Sequence, residues 1–146
     1  MVQRVRRASV SVAGECIGAI EQGLCVLVGV EVGDSEAEAL EMAEKIVGLR
    51  IFEDDDGKMN RSLIDVQGEL LLISQFTLLG DARKGRRPGF SNAMPKGPAE
   101  ELFERCRSAC RTFVQKVERG RFGADMLVEI ANDGPVTILL DTRRLF

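Results

Sequence analysis

Apolar residues from Val2 to Val12 alternate irregularly with charged and small polar ones. Val2, Val5, Val10 and Val12 are set among Gln3, Arg4, Arg6, Arg7, Ser9 and Ser11, the pattern of a half-buried strand. "AGE" at Ala13–Glu15 then predicts a hairpin turn into a short second strand near Cys16–Ile20. "LCVLVGVEV" from Leu24 is apolar almost throughout, as a strand covered on both faces should be. A helix start follows at Ser35, because Glu38 three residues on completes a capping box. Leu40, Ala43, Ile46 and Val47 continue at helical spacing.

The rest of the chain carries no internal repeat of this pattern. "RIFEDDDGKMN" predicts a short strand, an acidic turn at Asp54–Gly57 and another extended piece. Aligned as a calcium loop, it would put Phe52 and Leu63 at the first and last ligand positions. Those positions need Asp and Glu, so the run is a solvated turn. "ELLLISQFTLL" at Glu69–Leu79 predicts one long strand, and Gly80–Gly97 an irregular stretch rich in Gly, Pro and basic residues. Pro98 is placed to open a second helix. Leu102, Phe103, Cys106, Cys110, Phe113, Val114 and Val117 carry its apolar face, and Gly120 would close it. Met126–Ala131 and Val136–Leu140 read as two strands broken by Asn132-Asp133-Gly134-Pro135. Six or seven strands and two main helices predict a mixed α/β fold, with a mainly antiparallel sheet or barrel-like core in one domain spanning 1–146.

Composition narrows the chemistry. The chain has no histidine, which removes Ser-His-Asp and Cys-His catalysis, His-ligated zinc and imidazole acid–base chemistry. The four cysteines form no CxxC pair and read as free thiols, with Cys106 and Cys110 on the buried helix face. No signal segment or long apolar run is visible, so a soluble, cytoplasmic protein with no membrane partner is expected. Net charge is −3, yet Arg83, Lys84, Arg86 and Arg87 fall within five positions. A local basic loop on an acidic chain can touch phosphate without general affinity for polyanions. Arg143 and Arg144, near the terminus, are expected to be solvated.

Two stretches resist a purely structural reading. Ser74, Gln75 and Thr77 interrupt an otherwise apolar strand, where each inward polar side chain costs roughly 1–3 kcal/mol unless hydrogen-bonded. Either they bond backbone or face water, or they line a small-molecule pocket. Pro135 stands where the chain re-enters a strand and cannot donate to a ladder. It is either a plain trans proline or part of a Gly-Pro step that presents backbone to a ligand.

Taken together, "SQFTL" at Ser74–Leu78 and "NDGPVT" at Asn132–Thr137 resemble the two signature segments of the D-aminoacyl-tRNA deacylase family. "QRV" at Gln3–Val5, "RIF…GKMN" at Arg50–Asn60, "RRPGF" at Arg86–Phe90 and "GRFGADM" at Gly120–Met126 fall in family order, across nearly the whole chain. Gly89 departs from the family's "RPSF". The resemblance implies a homodimer in which a cis Gly134-Pro135 step enters the other subunit's active site. It implies hydrolysis of D-aminoacyl-tRNA, and of glycyl-tRNA mischarged on tRNA-Ala, with L-amino acids excluded. The catalytic segment would be Ser74, Gln75, Phe76 and Thr77. Gly134, Pro135, Arg4, Met59 and Phe90 would hold and select the substrate, and Arg83, Lys84, Arg86 and Arg87 would meet tRNA. No cofactor, metal or DNA partner is expected. The rivals are a relative with a trans Gly-Pro step that accepts some L-aminoacyl-tRNA, a non-catalytic tRNA-binding module, and a purely structural dimer.

Overall fold

The computed structural model describes all residues from Met1 to Phe146. Strand β1 (Val2–Val12) turns into β2 (Glu15–Ile20) through Ala13 and Gly14, both with positive φ, as a tight hairpin turn requires. β3 (Gly23–Val28) is followed by helix α1 (Glu36–Gly48), the short strands β4 (Phe52–Glu53) and β5 (Met59–Arg61), and β6 (Glu69–Ser74). A 3-10 turn at Phe76–Leu79 leads through the irregular stretch to α2 (Lys96–Cys110), β7 (Val117–Arg119) and the long β8 (Leu127–Ile138).

The main sheet runs β2-β1-β3-β6-β7, with β8 along the free side of β1. β1 pairs antiparallel with β2, β3 and β8, whereas β3–β6 and β6–β7 are parallel. The result is one mixed α/β domain with a nearly closed, barrel-like sheet. No helix is long and apolar enough to cross a membrane.

The unbroken apolar character of β3 and β6 has a direct cause. Alternate side chains enter two different cores. Leu24, Val26, Leu70 and Leu72 join Phe103 and Ile46 under the two helices. Cys25, Leu71 and Ile73 face Val5, Val10 and Ile20 inside the barrel. The capping box forms as its spacing predicts: Ser35 Oγ accepts from Ala37 N at 3.3 Å, and Ser35 N donates to Glu38 Oε2 at 2.7 Å. Cys106 and Cys110 are buried free thiols.

Three boundaries differ from the sequence expectation. β6 stops at Ser74, opposite the last residue of β3, so "FTLL" becomes a 3-10 turn and not strand. α2 starts at Lys96, two residues before Pro98, whose missing N–H lies in a first turn that has no intrahelical acceptors for it. It ends at Cys110, where Thr112 Oγ1 donates to Ala109 O at 2.7 Å. Val114 and Val117 extend the apolar spacing only because turn and strand deliver them to the same core. Finally, the two C-terminal strands are one, β8, with an outward bulge where the break was expected.

Candidate active site

The bulge explains the proline. Asn132 faces Val5 and Thr137 faces Gln3, so β8 advances five residues while β1 advances two. Asp133 to Val136 therefore leave the ladder, and Pro135 is never asked to donate to it. Gly134 has φ +125, and the Gly134–Pro135 peptide bond is cis. Behind the bulge stands Arg4, only 7% exposed. Its Nε donates to Asp133 O at 3.1 Å and its Nη1 to Ile51 O at 2.8 Å. A buried guanidinium is tolerable only when its donors are satisfied, and these two carbonyls tie the bulge to Ile51, the residue just before the β4–β5 hairpin.

Arg6 adds a contact that sequence reading did not anticipate. Between Val5 and Arg7, β1 advances two residues against one on β8, which makes Arg6 the extra residue of a bulge. Its Nε lies 3.4 Å from Asp133 Oδ1. Nothing in the sequence marks Arg6 apart from Arg7, because only the register places it.

The second signature segment lies at the C-terminal end of β6. Ser74 is half-buried on the strand; Gln75 N donates to Val28 O at 2.8 Å. The chain then leaves the sheet, with Leu78 N donating to Gln75 O at 3.3 Å and Gly80 N to Thr77 O at 3.0 Å. Phe76 and Thr77 thus supply the first N–H groups of the turn, the positions that find no acceptor within a turn. Gln75 Nε2 donates to Thr77 Oγ1 at 3.1 Å. Phe76 is 59% exposed, and its ring meets Phe90 edge to face at 5.2 Å and 72°.

Met59 does not share this surroundings. It is 55% exposed on β5, in the hairpin that follows Ile51, whose carbonyl binds Arg4. The residues grouped by sequence thus form two clusters: Ser74–Thr77 with Phe90, and Arg4, Asp133, Gly134 and Pro135 with Met59's hairpin alongside. β1 and β3 separate them, a lateral distance of about 14 Å at the usual strand spacing. One chain alone does not bring them together. An apolar cavity of about 340 Å³ lies under α1 and α2, lined among others by Val26, Met42 and Phe103. It reaches Leu78 and Leu79 of the turn but neither Ser74–Thr77 nor Gly134–Pro135.

The four basic loop residues are not equivalent. The loop is closed by paired backbone bonds between Asp81 and Gly89 at 2.8 and 2.9 Å. Asp81 grips Arg83 twice, Nε to Oδ1 at 2.9 Å and Nη2 to Oδ2 at 2.7 Å. Those bonds, with the Arg83 N–H, hold the Asp81 carboxyl down to about 2. Lys84, Arg86 and Arg87 are exposed and appear in no ion pair. The aspartate two residues before Arg83 was the available signal. A side chain at Gly89 would meet nothing within 4 Å, so the departure from "RPSF" leaves the loop's shape intact.

Comparison with known proteins identifies the family. The family described as D-Tyr-tRNA(Tyr) deacylase matches residues 1–141. The D-aminoacyl-tRNA deacylase of Syntrophomonas wolfei is 58% identical and that of Thermosipho africanus 52%, each over 100% of this chain and 98% of the relative. A solved structure titled c-Myc DNA Unwinding Element Binding Protein superposes with a TM-score of 0.91 at 46% identity, covering 97% of this chain and 96% of that one. With the family match running almost end to end and relatives more than half identical along the whole chain, the chain belongs to the D-Tyr-tRNA(Tyr) deacylase family.

Proposed function

We infer that this protein hydrolyses the ester joining a D-amino acid to the terminal ribose of tRNA, releasing the free amino acid and tRNA. The observation that carries the mechanism is the Gln75–Thr77 hydrogen bond beside the opening N–H groups of the 3-10 turn. An amide nitrogen donates to the Thr77 hydroxyl and cannot take its proton, and the chain has no histidine to do so. Thr77 is therefore not an activated nucleophile. The ester is already reactive. Water adds to its carbonyl while the N–H groups of Phe76 and Thr77 stabilise the developing oxyanion. The neighbouring ribose 2′-OH positions that water, and the ribose 3′ oxygen leaves with a proton.

Selection by chirality follows if the Gly134–Pro135 bulge of a second subunit closes the pocket. The separation of the two clusters within one chain supports that arrangement, as does the outer edge of β8, which has no partner strand in this chain. With the α-amino group held by the carbonyls of Gly134 and Pro135, an L side chain meets the proline wall and a D side chain points away. Glycine has nothing to reject, so glycyl-tRNA is a substrate too.

The test is deacylation of D-tyrosyl-tRNA and L-tyrosyl-tRNA in parallel, with chelator present. Rapid loss of the D ester with the L ester intact is expected. Loss of both would remove the chiral wall from this reading, and loss of neither would leave a tRNA-binding module.

Phosphate contacts should come from Lys84, Arg86 and Arg87. Replacing all three by alanine is expected to flatten the dependence of log affinity on log salt by roughly two to three, since each phosphate contact contributes about 0.7–0.9 to that slope. Arg83→Ala should change it much less, because Asp81 already satisfies that guanidinium. Filter binding of tRNA across a salt series measures both.

A further inference from the structure

Arg143 is exposed, as its place near the terminus predicts, and it is also the most connected arginine on the surface. Its backbone is fixed first: Arg143 N donates to Asp141 Oδ1 at 2.9 Å and Arg144 N to Asp141 O at 3.1 Å. Its guanidinium then spans the loop after β3. Nη1 pairs with Glu31 Oε2 at 2.8 Å, while Nη2 donates to Val32 O at 2.9 Å and reaches Asp34 Oδ1 at 3.5 Å. The other Asp34 oxygen accepts from Glu31 N at 2.8 Å, so the loop is gripped from outside and closed from within. An ordinary exposed ion pair contributes at most about 1 kcal/mol. Three acceptors on one planar fork hold a geometry as well as a charge.

Two routes lead from that loop to the candidate active site. Along the first, Val32 N donates to Asn92 O at 2.9 Å and Met94 N to Val30 O at 2.9 Å. Ala93 N then donates to Phe90 O at 3.1 Å, and the Phe90 ring rests on Phe76. Along the second, Gly29 lies so close to the 3-10 turn that a Cβ there would stand 2.4 Å from Leu79 Cδ2 and 3.3 Å from Leu78 Cβ. The loop root and the Phe90 segment thus brace the turn from two sides.

We propose that Arg143 is a positioning residue, which clamps the 29–34 loop and through it fixes Phe90 and the N–H groups of Phe76 and Thr77. This rests on the reading of those N–H groups as the oxyanion site. Arg143 touches no substrate. Its removal should loosen the geometry of the turn while leaving the tRNA-binding loop alone.

The experiment uses the full chain carrying Arg143→Ala, Arg143→Lys and, as control, Arg105→Ala, which removes the exposed Arg105–Glu36 pair at 2.7 Å between the helices. Two quantities are read: single-turnover and steady-state deacylation of D-tyrosyl-tRNA, and the backbone amide resonances of Phe76 and Thr77. Arg143→Ala is expected to lower kcat roughly tenfold with KM within about twofold, as small misplacements of a catalytic group do. The Phe76 and Thr77 amides should shift with it, Arg143→Lys should restore part of both effects, and Arg105→Ala should match the unmodified chain. Unchanged kcat overturns the proposal, and so does a lower kcat with those two amides unmoved. Should Arg143→Ala not fold, Arg143→Lys carries the same test, because it keeps the charge and loses the fork. If the unmodified chain cleaves no D ester, the functional reading fails by itself, and the amide shifts alone decide the clamp.

Discussion

Gly23→Ala is expected to destroy the folded state. Gly23 opens β3, where it pairs with Val5 on one side and Glu69 on the other. A Cβ built at this position would lie 1.8 Å from Glu69 O and 2.7 Å from both Glu69 C and N. All three are backbone atoms, so no side-chain rotation can relieve the contact. Relief requires β3 and β6 to separate, and that parallel seam carries both cores, Leu24 and Leu70 on the helix side and Cys25 and Leu71 inside the barrel. Ordinary overpacking costs about 1–3 kcal/mol. Opening a central seam exceeds that and consumes most of a stability of about 5–15 kcal/mol. Urea denaturation, or the soluble yield if the variant cannot be purified, reads the effect. Gly48→Ala is the control: nothing lies within 4 Å of its Cβ and it sits in α1, so it should keep or slightly raise the unmodified midpoint. A Gly23→Ala chain with the same midpoint would mean that β3 and β6 are not held at this spacing.

Local chemistry was legible. The Ser35–Glu38 capping box, the Ala13–Gly14 turn and the doubly buried β3 all depend on neighbours within a few positions. Boundaries that depend on a partner were not. β6 ends at Ser74 because β3 ends at Val28, and a run of apolar residues cannot announce where its neighbour stops. Likewise α2 ends at Cys110 although the apolar spacing runs on, since Val114 and Val117 reach the same core by another path. In the site, the Gly-Pro step and the polar break in β6 were visible as violations of strand patterning. Arg4 entered through family resemblance, and its two carbonyl partners come from segments about fifty and one hundred and thirty residues away in sequence. Arg6 and Arg143 depend on register and on tertiary approach, for which no local pattern exists.

Gly134→Ala is expected to remove activity while sparing the fold. Two constraints act on Gly134 together. Its φ of +125 lies where L side chains are strained. A Cβ would also stand 2.8 Å from Val136 Cγ2, 3.0 Å from Val136 N and 3.2 Å from Arg4 Nη2. The first two contacts push on Val136 at the far end of the bulge, and the third pushes on the arginine that holds the bulge from behind. Neither core contains Gly134 or Pro135, so the cost falls on the shape of the bulge and little on global stability. Displacement of a substrate-positioning element by about 1 Å lowers turnover on the order of a hundredfold. Single-turnover loss of D-tyrosyl-tRNA should fall by that amount, with the thermal midpoint within a few degrees of the unmodified chain. Affinity for tRNA should not change, because Lys84, Arg86 and Arg87 lie on a loop closed by its own Asp81–Gly89 bonds. Retained turnover would show that the bulge does not position the substrate, and the source of chirality would then have to be sought around Phe76 and Phe90. Lost turnover together with lost tRNA affinity would instead indicate that the bulge carries part of the RNA-binding surface.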